Sequence, residues 1–238
     1  MAQKLHDEYG YSYDYLKVLL GGWGAWQQNN ATDPDGYPIE TGAAVDAEAT
    51  ATAEAMSEPE AFARNLMEKT RRVIDSESGD LPANSEFVSS FNTGYTFRNF
   101  VAEVTFTNPY AASENDWDYG LLFRQDGAEN RCKLFVTSDK KWHLDVFKST
   151  NYLQTGQAPD LGTGAEDTNG IKLVAYEDVG YLFLTTQSKT DYFVSELDLS
   201  TCQAEDEISV GAGFILADNI PGTSTSFSNF ALDEILDQ

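Results

Sequence analysis

The sequence is poor in positively charged residues and in long apolar runs. Its 238 residues include 15 Lys and Arg against 39 Asp and Glu, a formal net charge of −24. Such a surface repels phosphate groups, which excludes direct nucleic-acid binding and disfavours anionic membranes. No segment reaches the roughly 18 consecutive apolar residues of a membrane-spanning helix, so we expect no membrane insertion. No signal peptide is visible after Met1, which says nothing about compartment if the chain is part of a longer protein.

Cysteine and histidine are also scarce, with two of each in the chain. Neither Cys132 nor Cys202 lies in a Cys-X-X-Cys motif, and His6 and His143 are far apart in sequence. A zinc site is therefore not expected. Two interpretations of the cysteines stay open. They form a disulfide if the protein is exported, or they are two unpaired buried thiols, which we favour from the sequence.

The composition divides the chain into three zones. Residues 1–42 mix helix and strand patterns, and residues 43–58 form an Ala/Thr/Glu-rich stretch with almost no large apolar side chain, typical of a flexible linker. Residues 59–238 are predicted to form a β-sandwich domain with a leading helix. That helix is predicted over "EPEAFARNLMEKTRRVID", with Ser57 as its cap and Pro59 in its first turn. Its apolar face would carry Phe62, Leu66, Met67 and Val73.

Strand patterns dominate after Gly79. In "NFVAEVTFT" the apolar residues alternate with polar ones, and "KWHLDVF" repeats the pattern. Similar short segments follow at spacings of mostly 8 to 14 residues, separated by Gly, Asp, Asn and Ser. This organisation predicts a mainly β fold, an antiparallel jelly-roll-like β-sandwich. The residues predicted to face the core in the first two segments are Phe100, Ala102, Val104, Phe106, Trp142, Leu144 and Val146.

The segment "VLLGGWGAWQQ", followed by "GYPIE", has a distinct pattern. A short apolar strand leads into two glycines, a helix with two tryptophans follows, and an extended Tyr-Pro exit closes the segment. Over about residues 4–42 this arrangement resembles the C-terminal end of a rhodanese-like α/β domain. The residues that carry the resemblance are Gly21, Gly22, Trp23, Trp26, Tyr37 and Pro38.

The rhodanese resemblance implies a persulfide-forming cysteine in a loop well upstream of the Gly-Gly-Trp turn. Only 20 residues precede Gly21, and none is cysteine, so this chain alone is expected to have no sulfurtransferase activity. Two interpretations stay open. The chain is part of a longer rhodanese fusion whose N-terminal rhodanese portion is missing, which we favour, or the remnant packs against the β domain.

The long segment "FVAEVTFTNPYAASENDWDYGLLFR", with the later "GYLFL", "ELDLS" and "ISVGAGFI", resembles a second family. Over about residues 75–235 it is similar to bacterial β-sandwich domains of the concanavalin/laminin-G type. Such domains are often appended to other modules in exported or surface proteins. The resemblance implies an extracellular or cell-surface location in a bacterium, with a glycan or a cell-surface protein as partner.

The segment "ENDWDYG" and the nearby Arg124 supply the candidate ligand-binding residues. Carboxylates beside aromatic rings can hold calcium or a stacked sugar ring. The competing interpretation, which we favour, is a solvated acidic loop before a strand whose Trp and Tyr lie in the core, with Arg124 in a structural cross-strand ion pair. The candidate ligand-binding residues are Asp116, Trp117, Asp118, Tyr119 and Arg124. Calcium, the only candidate cofactor, would be held by Glu114, Asp116 and Asp118.

The strand "SELDLS" is the nearest approach to a glycosidase motif. Glu196 and Asp198 share a face, but Ser200 stands where jelly-roll glucanases carry a third carboxylate. The sequence therefore predicts no enzyme in this chain, but a non-catalytic binding or scaffolding module for glycan or calcium. The alternatives are an inactive C-terminal portion of a rhodanese sulfurtransferase fusion, and a structural surface or spacer domain.

Overall fold

The computed structural model describes residues 56–83, 88–126, 130–146, 153–202, 207–214, 220 and 222–236. The chain divides into two units, Met1–Ala55 and Met56–Gln238, and the described residues all belong to the second. The rhodanese-like residues and most of the predicted linker lie outside the described residues, so these assignments stay predictions.

The described residues form one α-helix and twelve β-strands. Helix α1 spans Glu58–Met67. The strands, in chain order, are β1 Thr70–Pro82, β2 Ser89–Thr96, β3 Phe100–Thr107, β4 Asp118–Asp126, β5 Asn130–Thr137, β6 Lys141–Val146, β7 Gln154–Gln157, β8 Thr168–Tyr176, β9 Val179–Thr185, β10 Tyr192–Asp198, β11 Glu207–Ala212 and β12 Ser224–Ile235.

The strands make two six-stranded sheets that are antiparallel throughout. Sheet A has the order β1-β12-β3-β8-β9-β10, and sheet B the order β2-β11-β4-β5-β6-β7. Side chains from both sheets meet in one apolar core, as period-two alternation requires of two packed sheets. The predicted core residues of β3 and β6 are buried there, except Val146, which is partly buried at its margin. The mainly β antiparallel sandwich is thus confirmed.

The predicted leading helix is half as long as expected. Ser57 does cap it, accepting a hydrogen bond from the backbone N of Glu60 at 3.4 Å, and a proline lies in its first turn. The helix ends at Met67, however, and strand β1 begins at Thr70. The extension to residue 75 was wrong because this segment, rich in β-branched residues, pairs along β12. Arg71 and Arg72 there bind Glu234 and Asp233 of β12.

Helix α1 covers part of the outer face of sheet A. Ala63 and Leu66 pack on Val174 and Phe183, while the guanidinium of Arg64 lies 5.0 Å from the centre of the Phe183 ring. Sheet A is thus covered by the core on one face and in part by this helix on the other. Among the described residues, no helix has the length and the apolar character needed to cross a membrane.

Cys132 and Cys202 form a disulfide. Cys132 lies on β5 of sheet B, and Cys202 lies just beyond β10 of sheet A. The bridge therefore joins the two sheets through the core. The preference for two unpaired thiols was wrong, because the sandwich fold brings residues 70 positions apart in sequence to a Cα–Cα distance of 5.8 Å.

Candidate functional site

The outer face of sheet B carries polar and aromatic side chains in register. On β5, Val136 pairs with Trp142 and faces the core, so its neighbours Phe135 and Thr137 face outward. Phe135 lies opposite His143, and His143 lies opposite Thr155. The β5–β6 hairpin therefore presents a cluster of ring and hydroxyl groups on one side of the sheet.

A pocket of about 220 Å³ opens where the β5–β6 turn meets the segment that leads into β4. Backbone and side-chain bonds join the two segments: the N–H of Ser138 donates to the carbonyl of Trp117 at 3.0 Å, and its hydroxyl donates to Oδ1 of Asp116 at 2.8 Å. The residues that line the pocket are Asp116, Trp117, Thr137, Ser138, Asp139, Lys141 and His143.

Asp139 and Lys141 supply opposite charges at this pocket. Asp139 accepts hydrogen bonds from Nζ of Lys141 and, at 2.5 Å, from the hydroxyl of Thr137. Burial raises the pKa of the Asp139 carboxyl, but these two hydrogen bonds outweigh burial and leave that pKa below its ordinary value. Asp139 is therefore a charged acceptor at neutral pH.

His143 is held between two threonine hydroxyls. Its Nε2 lies 3.3 Å from Oγ1 of Thr137 and its Nδ1 lies 3.1 Å from Oγ1 of Thr155. The ring stacks on Phe135 with the ring centres 5.1 Å apart. Burial lowers the pKa of His143, and the neighbouring Asp139 opposes that effect only in part. The imidazole is therefore neutral at pH 7, with its orientation fixed by stacking and hydrogen bonds.

Trp117 closes the core side of the pocket. Its ring stacks on Tyr119 at 4.9 Å, and Tyr119 in turn stacks on Phe106 at 4.4 Å. Trp117 is only 2% exposed, and its Nε1 is buried without a hydrogen-bond partner in the described part of the chain. Buried donors are nearly always hydrogen-bonded, so this Nε1–H is an exception among the described residues, and the Trp117 ring belongs mainly to the core.

Of the five residues predicted to bind ligand, the structure brings two to the pocket, Asp116 and Trp117. The carboxylate of Asp118 is buried and accepts the backbone N–H of Phe214 at 2.6 Å. Tyr119 is wholly buried, and its hydroxyl donates to Oδ1 of Asn108 at 2.7 Å. These two side chains are therefore parts of the core.

Arg124 lies at the other end of β4 from this pocket. Its buried guanidinium donates to the carbonyl of Cys202 at 3.2 Å and to the carbonyl of Arg98 at 2.7 Å. Among the described residues, its hydrogen-bond partners are thus backbone carbonyls, and it forms no ion pair there with a strand carboxylate as the sequence predicted. Burial, together with the nearby charge of Arg98, lowers the pKa of Arg124 to about 10.

The predicted calcium ligands Glu114, Asp116 and Asp118 are not gathered into a site. Asp116 bonds to Ser138, and Asp118 bonds to the backbone of Phe214. Within the described ranges, no group of three or more His, Cys, Asp or Glu side chains could hold a metal ion. The structure gives calcium binding at these residues no support.

The pocket also contains residues that the sequence analysis did not select. Thr137, Asp139, Lys141 and His143 recur at every second position through "TSDKKWH". That polar periodicity was the available signal. The periodicity alone does not indicate a site, because an exposed hairpin shows the same alternation. Only the register across β4, β5 and β6 brings these residues beside Asp116 and Trp117.

Comparisons with known proteins support the fold alone. No protein-family model and no curated protein matches the chain. Among solved structures, it is similar to CB05 from A. japonicus at 11% identity, with a TM-score of 0.51 over 76% of this chain and 28% of that one. It is also similar to a carbohydrate-binding module from Bacillus subtilis, at 15% identity with a TM-score of 0.49 over 70% of this chain and 96% of that one.

A third similar structure is the transglycosylase Crh5, at 11% identity with a TM-score of 0.49 over 71% of this chain and 85% of that one. The chain thus spans well under two thirds of CB05 and most of the other two. Nothing in these comparisons supports the rhodanese resemblance of residues 4–42. The described residues form a two-sheet antiparallel β-sandwich, a fold that they share with the matched part of CB05.

Proposed function

We propose that the protein is a non-catalytic glycan-binding module, and that it holds the end of a neutral glycan in the pocket beside Asp116, Trp117 and His143. The observation that carries this proposal is the convergence of charged and hydroxyl side chains from two segments, the β5–β6 hairpin of sheet B and the residues that lead into β4. Sugar hydroxyls both donate and accept hydrogen bonds, so a sugar suits a pocket that offers both kinds of partner.

The free hydrogen-bonding capacity of the pocket supports a polyhydroxyl ligand. Oδ1 of Asp116 accepts a hydrogen bond from the hydroxyl of Ser138, and Oδ2 has no hydrogen bond to the described residues. The carboxylate of Asp139 and the ammonium of Lys141 also line the pocket. At about 220 Å³, the pocket is smaller than the roughly 300–1,000 Å³ of drug-sized ligand sites. A single terminal sugar residue fits this size better than an internal stretch of chain.

Charge favours a neutral glycan over an acidic one. The chain carries a net charge of −24, and two carboxylates line the pocket against one lysine. A uronate or sulfated sugar would be repelled both by the long-range field and at the site. Neutral sugars face no such barrier.

Asp139 does not match the general acid of a glycosidase. A general acid for glycoside hydrolysis needs a raised pKa, whereas the pKa of Asp139 is lowered. Glu196 and Asp198, the carboxylates of the glycosidase-like strand, are exposed on β10 at the edge of the other sheet. These features support binding without turnover.

A location outside the cytoplasm accompanies this proposal. Disulfides persist in oxidising compartments and are rare in the cytosol, and the Cys132–Cys202 bridge lies buried between the two sheets. The disulfide therefore supports a location outside the reducing cytoplasm, where the proposed ligands would be glycans of surfaces and matrices.

The test is a glycan array with the full-length chain, followed by calorimetric titration of the best ligand. We expect neutral glycans to be bound, and Asp116→Asn to weaken binding about tenfold, a loss of about 1.4 kcal/mol. Asp75→Asn is the matched control, because this carboxylate on β1 is 95% exposed and lies on the other sheet. Thermal unfolding would verify that both variants fold.

Three outcomes would contradict the proposal. Failure to bind any glycan would leave a structural spacer as the better interpretation, and equal binding by wild type and Asp116→Asn would remove the pocket as the site. Release of reducing ends from the bound glycan during long incubation would overturn the non-catalytic assignment.

A further inference from the structure

A second surface with sugar-binding chemistry lies at the far end of sheet B. The pocket described above adjoins Asp118 at the start of β4, whereas Arg124 near its other end donates to the carbonyl of Arg98 in the β2–β3 connection. At about 3.4 Å per residue, these two ends of β4 are about 20 Å apart. The surface near Arg98 is therefore separate from the first pocket.

An exposed aromatic platform occupies this far end. Tyr95 on β2 is 41% exposed, and its ring lies nearly parallel to that of Phe97, with ring centres 6.0 Å apart and 10° between the planes. Phe97 is itself packed against the core. One face of Tyr95 is thus backed by an anchored ring, which is how a rigid stacking surface is built.

A shallow pocket of about 140 Å³ begins at Phe97 and is lined by polar groups. Arg98 donates from Nε to Glu177 at 3.2 Å and from Nη2 to Asp178 at 3.1 Å. Since a guanidinium has five N–H donors, three stay uncommitted among the described residues. The pocket lining also includes Asn99, Glu234 and Ile235.

Glu234 adds an acceptor to these donors. Its Oε2 pairs with Arg71, and its Oε1 has no partner in the part of the chain that the structure describes. Phe97 links the exposed Tyr95 ring to this pocket, because it lines the pocket and also stacks with Tyr95. A sugar ring requires an aromatic surface together with donors and an acceptor, since its C–H face stacks and its hydroxyls hydrogen-bond.

The connection that carries this pocket is held in place before any ligand arrives. Arg124 donates both to Arg98 and to the carbonyl of Cys202, so it ties the connection to the disulfide. The backbone carbonyl of Asn99 accepts the N–H of Ile235 at 3.1 Å. Oδ1 of the Asn99 side chain accepts the N–H of Glu177 at 2.8 Å. The β2–β3 connection therefore loses little conformational freedom when a ligand binds.

We propose that this end of the sandwich is a second carbohydrate site, where Tyr95 stacks on a neutral sugar ring and Arg98 and Glu234 bind its hydroxyls. The choice of ligand class rests on the proposed function, while the site itself is independent of the first pocket. A glycan-binding protein with two such sites would hold a polysaccharide or a dense glycan surface through two contacts at once.

The experiment compares variants of the full-length chain, with a panel of soluble neutral oligosaccharides of glucose, galactose, mannose and fructose titrated by calorimetry. We expect Tyr95→Ala to weaken one of two binding events about tenfold, and Tyr95→Phe to retain it. Phe62→Ala is the matched control, because Phe62 is an aromatic of similar exposure, 48%, on helix α1.

Combining Tyr95→Ala with Asp116→Asn separates the two sites. If Asp116→Asn leaves binding that Tyr95→Ala removes, the second site is supported whatever the first pocket does. If Tyr95→Ala changes no titration while Asp116→Asn does, the second site is overturned and the proposed function stands. If no oligosaccharide binds any variant, both proposals fail, and the exposed ring is then better explained as a contact for another protein.

Discussion

At the scale of single residues, a buried network of amides and one phenol fixes the loop between β7 and β8. The Tyr119 hydroxyl donates to Oδ1 of Asn108 and accepts from Nδ2 of Asn169, each at 2.7 Å. Asn108 also donates to the carbonyls of Gly162 and Gly164. Burial raises the pKa of Tyr119 well above its ordinary value, so the hydroxyl keeps the proton that the network uses.

Removing this hydroxyl should therefore be costly. We expect Tyr119→Phe to lower the free energy of unfolding by about 1–3 kcal/mol, because it removes one buried hydrogen bond from Asn108 and one from Asn169. Tyr192→Phe is the matched control, since the Tyr192 hydroxyl is buried without a partner among the described residues and burial raises its pKa to about 12. Removal of the Tyr192 hydroxyl should leave the free energy of unfolding unchanged or higher. Urea denaturation of both variants checks this, and an equal loss in the two would contradict it.

The lowered pKa of His143 predicts how the free energy of unfolding depends on pH. Burial lowers its folded-state pKa below the unfolded value of about 6.5. The unfolded chain therefore takes up a proton first as the pH falls, and the stability due to neutral His143 is present above about pH 6.5 and lost below it. Asp139, whose pKa is lowered, stays charged across this range.

We expect the free energy of unfolding to decrease between about pH 7.5 and pH 5.5, and His143→Gln to flatten that decrease. The other histidine of the chain, His6, is present in both proteins and serves as an internal control. Denaturation at a series of pH values makes the measurement. An unchanged slope in His143→Gln would show that groups other than this imidazole produce the pH dependence.

At the scale of elements, the disulfide connects strands that share no hydrogen bonds. Cys132 is on β5 of sheet B and Cys202 follows β10 of sheet A. We expect reduction, or the double variant Cys132→Ala/Cys202→Ala, to lower the free energy of unfolding by about 2–4 kcal/mol, because the bridge constrains a long loop in the unfolded chain. Adding reductant to the double variant should have no further effect. Equal stability of oxidised and reduced wild type would contradict this prediction.

Some strands can be predicted from their local sequence pattern, and others cannot. Alternation correctly predicted β3 because Phe100, Val104 and Phe106 are buried on one face by their own register. It did not predict β1, because residues 70–75 have an acceptable helical pattern and become a strand only through β12, more than 150 residues later. Strands β2 and β7 were missed for a similar reason, since they are edge strands whose partners define them.

At the scale of the whole molecule, composition restricts the class of ligand but does not predict the position of a site. The excess of acidic residues excludes nucleic acid whatever the fold. The pocket, in contrast, needs Asp116 to lie beside His143, a contact set by the pairing of β4 with β5 and of β5 with β6. No local pattern encodes such cross-strand proximity, which is why Asp116 and Trp117 were predicted and His143 was not.

The pairing of β1 with β12 has a mechanical consequence. Thr70 at the start of β1 lies opposite Ile235 at the end of β12, so a force that separates these two points would load the hydrogen bonds between the strands one after another. Sheet A would open from this edge under low tension. The extension would then stop early, because the bridge closes 70 residues of chain, roughly 240 Å of contour length, that cannot lengthen while it is intact.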